Sequence, residues 1–332
     1  VRNTALGYAA LTDNTTGGYN VALGMSALEN NSTASYNTAV GTNCMVANTT
    51  GTNNVAMGYA TLDANTTGSS NVAIGQAALG SNTTADNNTA VGKDALITNT
   101  TGSENTAVGK EALASNNGSN NTAVGVTAMT FNTTGTNNTA VGQSCMKKNT
   151  TASGNTAIGR VSMFENTTGT NNTAVGYAAL QLNVTGQQCT AVGQGALQNS
   201  LGDSNTALGY SAGYSVTTGT DNVCLGRGAG FNITTHSENI FIGKNAGYSC
   251  TSNQNTIVGG EGCGDAVSTG TECVFMGAYA GTEVTTGSGN TLIGSTAGSV
   301  VTTGGNNTIV GKDSGRDLTT GDVNVCVGYN TY

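Results

Sequence analysis

The sequence of 332 residues contains no proline, no tryptophan, one histidine and few charged side chains. Because His236 is the only imidazole, the chain has little equipment for general acid–base catalysis, and we expect it not to be an enzyme. The net charge of −8 argues against nucleic-acid and anionic-membrane partners, which require basic patches. No apolar run approaches the roughly 20 residues of a membrane span, so membrane insertion is not expected.

The residues that are present do not indicate an ordinary enzyme domain or a disordered chain. Gly, Asn and Thr number 50, 43 and 57, which is 150 of 332 residues, while charged residues make up only 8%. Disordered chains are usually charged, rich in proline and poor in Val, Ile and Leu, unlike this one. The sequence opens with Val1 and shows no signal peptide, so we expect a processed or partial stretch of a longer protein.

A short motif, NTAVG with variants, returns along the whole sequence. Its closing glycines, here called anchor glycines, are separated by 17 residues in fifteen intervals, by 16 in three and by 18 in one. The 20 anchors are Gly7, Gly24, Gly41, Gly58, Gly75, Gly92, Gly109, Gly125, Gly142, Gly159, Gly176, Gly193, Gly209, Gly226, Gly243, Gly259, Gly277, Gly294, Gly311 and Gly328. So short and strict a period predicts a stack of repeats that each contact mainly their neighbours.

The repeat is too short for two helices but long enough for two short strands and two turns, which form one rung of a β-solenoid. Turn signals such as NTTG and GTNN follow the alternating NTAVG segment at fixed offsets. The sequence therefore predicts an all-β protein, a parallel β-solenoid (β-roll) of about 20 rungs over residues 1–332, continuous and without separate domains. At about 4.8 Å per rung it would form a rod on the order of 95 Å long.

Stacking turns each repeat position into a column of equivalent residues. The residue before the anchor is always apolar, which predicts a buried column. The fourth residue after the anchor is Leu or Met in the first twelve copies, which also predicts burial. That column comprises Leu11, Leu28, Met45, Leu62, Leu79, Leu96, Leu113, Met129, Met146, Met163, Leu180 and Leu197.

The later rungs replace this column by glycine and add volume elsewhere. Gly occurs at 213, 230, 247, 281, 298 and 315, while Asn seven residues after the anchor becomes Val or Ile, as at Val216. Because close-packed interiors require such compensation, we predict subtype A rungs over residues 1–200 and subtype B rungs over residues 201–332.

Subtype B strands carry large apolar residues at two successive positions, and successive strand residues point to opposite faces. A strand that is apolar on both faces needs a partner on each, which favours homo-oligomerisation over a covering segment outside this sequence and over a lone solenoid. The candidate interface residues are Phe241, Ile257, Phe275, Leu292 and Ile309 or their strand neighbours. Replacing Phe241 and Phe275 by Ser should then dissociate the protomers without disturbing the rungs.

The repeat as written at residues 172–179, NTAVGYAA, resembles the head repeats of YadA-type trimeric autotransporter adhesins. It resembles still more the NTAVGYxAL…NTTG arrays of phage-like tail fibres and bacterial surface fibres. The resemblance covers essentially all 20 rungs, although the autotransporter repeats are typically shorter, near 14 residues. It implies a β-roll in a homotrimeric fibre that is used for attachment.

Ten rungs carry Asn-x-Thr in the same turn, which is a formal N-glycosylation acceptor in a secretory pathway. The alternative is a stacked, hydrogen-bonded Asn ladder inside the solenoid. The acceptor residues are Asn14, Asn31, Asn48, Asn65, Asn82, Asn99, Asn132, Asn149, Asn166 and Asn183.

No two of the eight cysteines occupy one column in adjacent rungs, which favours their role as small buried hydrophobes. Only Cys250, Cys263 and Cys273 are close enough in sequence for a local disulfide. No paired C-x-x-C or partner His accompanies them, and we predict no metal site and no cofactor. The glycine-rich stretch 259–265 is similar to a calcium-binding repeat, but it coincides with the single 18-residue interval and indicates a bulge.

Six cations directly follow an anchor glycine and predict a sparse surface column that serves solubility and edge protection. They are Lys93, Lys110, Arg160, Arg227, Lys244 and Lys312. Adjacent threonines such as Thr15 and Thr16 would face opposite ways on a strand, which argues against the flat Thr-x-Thr face of ice-binding solenoids.

Taken together, these patterns predict the structural shaft of an extracellular, cell-surface or virion-surface fibre that serves as a stiff spacer and attachment element. Its partners would be other copies of itself, as a trimer continuing end to end, and a cell-surface receptor or glycan. The alternatives are a glycan-coated filament and an ice-binding β-solenoid.

Overall fold

The computed structural model describes residues 2–331, and the chain divides into two compact units, Val1–Thr168 and Gly169–Tyr332. Within the described residues each unit contains ten strands of three residues. The first unit holds β1 (Thr4–Leu6), β2 (Val21–Leu23), β3 (Thr38–Val40), β4 (Val55–Met57), β5 (Val72–Ile74), β6 (Thr89–Val91), β7 (Thr106–Val108), β8 (Thr122–Val124), β9 (Thr139–Val141) and β10 (Thr156–Ile158). The second holds β11 (Thr173–Val175), β12 (Thr190–Val192), β13 (Thr206–Leu208), β14 (Val223–Leu225), β15 (Ile240–Ile242), β16 (Thr256–Val258), β17 (Val274–Met276), β18 (Thr291–Ile293), β19 (Thr308–Val310) and β20 (Val325–Val327).

Within each unit every strand pairs in parallel with the next strand along the chain, and equivalent repeat positions lie side by side. Ala90 of β6, for example, is the partner of Ala107 in β7, and Ile257 of β16 is the partner of Phe275 in β17. Each unit is thus a parallel β-solenoid with one rung per repeat, which confirms the predicted all-β class, the rung architecture and the period. That residues 1–332 form a single continuous solenoid stays a prediction.

Each rung contains one strand rather than the two that the sequence predicted. The remaining residues form turns, because three positions per repeat adopt the left-handed conformation, as at Ser70, Ala77 and Leu79 with φ of 59°, 55° and 52°. Such a conformation costs an L-residue roughly 1–2 kcal/mol. Hydrogen bonds between rungs offset this cost, since Leu79 N donates to the carbonyl oxygen of Ala95 at 3.0 Å.

The anchor glycines explain why the motif ends as it does. Gly92 has a φ of +137°, and a Cβ there would lie 2.5 Å from the carbonyl oxygen of Gly109, the next anchor. Backbone therefore stacks directly on backbone in this column, and any side chain would force the rungs apart.

The interior is built from the middle residue of each strand and from the Leu/Met column. Leu62 and Met129 are 0% exposed, as are Ala56 and Ala123. This confirms that the Leu/Met column is buried. The residue before the anchor, however, points outward: Val108 is 36% exposed and Leu208 is 53% exposed, so its predicted burial is wrong.

Glycine replaces Leu in the second unit where the middle strand residue becomes large. A Cβ at Gly247 would lie 2.3 Å from Cε1 of Phe241, and a Cβ at Gly230 would lie 2.6 Å from its Cδ2. The Phe241 ring thus fills the space that Leu fills in the earlier rungs. This confirms the predicted exchange of volume between the two columns.

The 18-residue interval carries its extra residue directly after the anchor. Gly247 N donates to the carbonyl oxygen of Cys263 at 3.0 Å, as Leu79 N does to Ala95, so the regular register resumes at Cys263. A Cβ at Gly260 would meet nothing within 4 Å, which agrees with a local bulge into open space. No helix that could span a membrane occurs in residues 2–331.

Candidate functional site

The first and third residues of each strand point away from the interior and form what we call the outward strand face of each unit. In every strand these two residues are half-buried or exposed. The first is Thr, Val or Ile and the third is Leu, Val, Met or Ile, so the face carries no charged side chain. The parallel register places these residues in two uninterrupted columns within each unit. Such a surface offers apolar contact rather than chemistry.

The five residues predicted at an oligomer interface do not lie on this face. Phe241, Ile257, Phe275, Leu292 and Ile309 are each 0% exposed within the single chain. They are the middle residues of their strands and point into the solenoid, so their assignment to an interface is wrong. Their strand neighbours, which the prediction named as the alternative, are half-buried or exposed.

The Asn-x-Thr column forms a hydrogen-bonded ladder inside the solenoid. Asn48 Nδ2 donates to Asn31 Oδ1 at 2.9 Å and to the carbonyl oxygen of Gly51 at 3.0 Å, and Asn65 continues the pattern. The ladder prediction is therefore confirmed. Nine of the ten candidate acceptors are 0% exposed: Asn31, Asn48, Asn65, Asn82, Asn99, Asn132, Asn149, Asn166 and Asn183.

Burial of Nδ2 leaves no room for a sugar at these nine positions, so a glycan coat on the folded column is contradicted. Asn14, in the first rung, is half-buried, and its Nδ2 donates to the carbonyl oxygen of Gly17 at 3.0 Å.

A second Asn ladder, which the sequence analysis missed, runs immediately before the strands. The backbone N–H of Asn71 donates to Asn54 Oδ1 at 2.9 Å, while Asn71 Nδ2 donates to the carbonyl oxygen of Ala85 at 2.9 Å. The sequence feature that could have predicted this ladder is the Asn that opens nearly every NTAVG motif. Where cysteine replaces this Asn, Cys189 N still donates to Asn172 Oδ1 at 2.8 Å.

The cysteines are free, and all but Cys326 are buried. Burial raises the pKa of Cys145 and of Cys44 to about 12, and that of Cys189 to about 11. These thiols are therefore protonated and unreactive at neutral pH. The prediction of buried hydrophobes is confirmed for these seven cysteines, and Cys250, Cys263 and Cys273 form no local disulfide.

The predicted cationic column is exposed, and several of its members pair with acids on the same or the next rung. Lys110 Nζ lies 3.1 Å from Glu111, and Lys244 Nζ lies 3.2 Å from Glu261. Exposed pairs of this kind contribute roughly 0–1 kcal/mol each. No cluster of three or more potential metal ligands occurs in residues 2–331, including the stretch 259–265.

The adjacent threonines of the turns do not form a flat face. Thr66 Oγ1 donates to the carbonyl oxygen of Thr83 at 3.0 Å and is tied to the backbone, while Thr67 is exposed. The strands, by contrast, present Thr and Val together. Strands β6 to β10 read Thr-Ala-Val four times and Thr-Ala-Ile once, with both outer residues facing outward. The sequence shows Val two residues after Thr, but the Val column was predicted to lie in the interior, whereas both columns face outward.

Comparison with protein-family models and with curated proteins finds no match for the chain. The resemblance to adhesin heads and tail-fibre arrays therefore stays a prediction.

Proposed function

We propose that the chain is the structural shaft of an extracellular, cell-surface or virion-surface fibre and acts as a stiff spacer and attachment element. Copies of the chain assemble side by side through their outward strand faces. The observation that carries the proposal is the uncharged outward strand face, whose third-residue column is apolar on every strand of both units. Exposed apolar columns of this regularity are typical of interfaces.

A second copy is the partner that fits this face best. The face repeats once per rung, and another solenoid with the same rung spacing presents the same period along its length. The chain has a net charge of −8, yet its outward strand faces are uncharged, so copies can approach there without direct charge repulsion. The resemblance to trimeric fibres favours three-fold assembly, with end-to-end continuation in a longer fibre.

Stiffness follows from the way one rung is bonded to the next. Parallel strands, two Asn ladders and the hydrogen bonds of the turns all cross from rung to rung within each unit. Because every ladder is buried or half-buried, bending a unit would break several hydrogen bonds together. Such a bonded stack of rungs is suited to the passive transmission of force, and we propose no catalytic step.

Two lysines on the outward strand face test the assembly. We expect native mass spectrometry to give a multiple of 32.9 kDa for the native chain and a single protomer for Val108→Lys/Val141→Lys. The change places ammonium groups in an apolar contact, where burial without a partner is costly. The matched control is Thr84→Lys/Thr101→Lys on exposed turns, which should assemble normally. A monomeric native chain, or unchanged assembly of the first variant, would contradict the proposal.

Ice binding is a second candidate, because strands β6 to β10 repeat the same outward hydroxyl and methyl groups once per rung in parallel register. Measurements on the native chain and on Val108→Lys/Val141→Lys distinguish ice binding from the shaft function. A monomeric native chain that shows thermal hysteresis, lost in Val108→Lys/Val141→Lys, would favour ice binding. An oligomer without hysteresis would favour the shaft.

A further inference from the structure

A small cleft in the second unit combines aromatic walls with an unpaired arginine. Tyr210 and Arg227 directly follow the anchors of two successive rungs, and the Arg227 Cζ lies 6.0 Å from the Tyr210 ring centroid. Phe231 and Tyr248 also line the cleft, which is open to solvent and has a volume of about 220 Å³. This is less than the roughly 300–1,000 Å³ of pockets for drug-sized ligands, so the cleft has room for one small ring.

The aromatic wall is rigid because its rings stack on one another. The Tyr214 and Phe231 ring centroids are 5.1 Å apart with planes 3° from parallel, and those of Phe231 and Tyr248 are 4.9 Å apart with planes 8° from parallel. Few aromatic residues occur in the chain, which makes this concentration notable. Because Phe231 is stacked between Tyr214 and Tyr248, both of its faces are covered, and the wall offers van der Waals contact to an apolar part of a ligand.

A glycine keeps the floor of the cleft open. Gly228 has a φ of +65°, and a Cβ there would lie 2.5 Å from Asn245 Oδ1 and 3.4 Å from Cδ2 of Tyr248. The equivalent positions in the neighbouring rungs carry side chains, Ser211 and Asn245, in the same left-handed conformation. The backbone therefore does not require glycine here, and its consequence is the room that it leaves for the Asn245 side-chain amide, which a larger residue would displace.

The polar groups of the cleft are free to bind a ligand. Arg227 makes no ion pair within residues 2–331, whereas Lys244, next in the same column, pairs with Glu261 at 3.2 Å. The Ser211 hydroxyl and the Asn245 side-chain amide, which also line the cleft, make no hydrogen bond within the described chain. A guanidinium presents paired N–H donors that match a carboxylate, while hydroxyl and amide groups suit sugar hydroxyls.

The geometry points to a saccharide-binding site for a single sugar ring that bears a carboxylate, such as a uronic or sialic acid residue of a surface glycan. Arg227 binds the carboxylate, Ser211 and Asn245 bind hydroxyls, and the Phe231 and Tyr248 wall makes van der Waals contact with the apolar side of the ring. This goes beyond the shaft role by naming a ligand class and a site for attachment. It requires only one protomer, so it can fail or succeed independently of assembly.

The test compares two ligands that differ only in the carboxylate, methyl β-glucuronide and methyl β-glucoside, with methyl N-acetylneuraminide as a third ligand. Binding to the full chain is followed by saturation-transfer NMR and by tyrosine fluorescence, since the chain has no tryptophan. We expect at least one acidic sugar to bind saturably, and the glucoside to bind at least about tenfold more weakly than that sugar.

Two variants assign the site, each with a control at the same repeat position. Arg227→Gln should reduce binding of the acidic sugar about tenfold, while Lys312→Gln should not. Gly228→Asn should abolish binding by filling the floor, while Ala77→Asn in the first unit should not. Circular dichroism confirms that each variant folds. Failure of both acidic sugars to bind, equal binding of acidic and neutral sugars, or equal effects of a variant and its control would overturn the inference.

Discussion

At the scale of single residues, the fold depends on pairs of side chains that share one volume. The Phe241 ring fills space that Leu62 and its equivalents fill in the first unit, and Gly230 and Gly247 make room for it. Neither member of such a pair can be changed independently, because the interior is close-packed. The effects of single substitutions should therefore be strongly non-additive.

A double-mutant cycle tests this coupling. Gly247→Ala alone should destabilise the surrounding rungs by about 1–3 kcal/mol through overpacking against Phe241, in addition to roughly 1–2 kcal/mol for its left-handed backbone. Phe241→Ala alone should cost about 3–5 kcal/mol by leaving a cavity. In the Phe241→Ala background, Gly247→Ala should cost only the roughly 1–2 kcal/mol of its left-handed backbone. Native-state hydrogen exchange of the β15 amides measures all three effects.

Burial of the two rings also changes the outcome that we expect for Phe241→Ser and Phe275→Ser. Because both rings lie in the interior, these changes should loosen their rungs rather than dissociate protomers. Strictly additive effects in the cycle, or dissociation without loss of exchange protection, would contradict the core assignment.

The exchange of Leu for Gly and of Ala for Phe was visible in the sequence, because both changes occur in the same rungs. The sequence did not show which face of each strand points inward. Period-two alternation separates Ala157 from Ile158 but does not say which of them is buried, and the larger residue was assigned to the interior. The interior space next to Ala157 is already filled by the Leu/Met column, so the larger residue faces outward.

At the scale of the repeated element, the Asn ladders replace the second strand that the sequence predicted. A three-residue strand satisfies few backbone groups, and the side-chain amides bind carbonyl oxygens of the turns, as Asn48 Nδ2 does with Gly51. The recurrence of Asn at one repeat position predicted a ladder in that column. The turn geometry could not be predicted, because the three left-handed positions per repeat are occupied by residues as different as Leu79, Ser70 and Ala77.

Asn48→Ala tests the contribution of one ladder residue. The change leaves Asn31 Oδ1 buried without its donor, and it removes one of the two acceptors of Asn65 Nδ2, which keeps its bond to the carbonyl oxygen of Gly68 at 2.9 Å. We expect a loss of about 1–3 kcal/mol, which is typical of buried polar groups without partners, measured by urea unfolding. Asn30→Ala is the control, because Asn30 is exposed and belongs to neither Asn ladder. Its free energy of unfolding should stay within about 0.5 kcal/mol of the native value. Equal effects of the two changes would contradict a stabilising ladder.

At the scale of the whole molecule, the period and the all-β class could be predicted because every repeat restates them. The division into Val1–Thr168 and Gly169–Tyr332 could not, since the same NTTG turn and NTAVG strand occur on both sides of it. The predicted change of rung subtype falls at a different place, between Leu197 and Gly213, inside the second unit. The candidate saccharide cleft was also out of reach, because its residues come from three rungs and form no contiguous motif.

Each unit should fold by itself, because its contacts lie mainly between neighbouring rungs. Stability in such repeat proteins is approximately a sum of terms for single rungs and for the interfaces between neighbours. We expect residues 1–168 and residues 169–332, produced separately, to give β-type circular dichroism and cooperative melting. A shorter fragment, residues 1–84, has half as many rungs as the first unit and should melt at a lower temperature. A disordered unit, or equal melting temperatures for residues 1–84 and 1–168, would show that stability does not accumulate rung by rung.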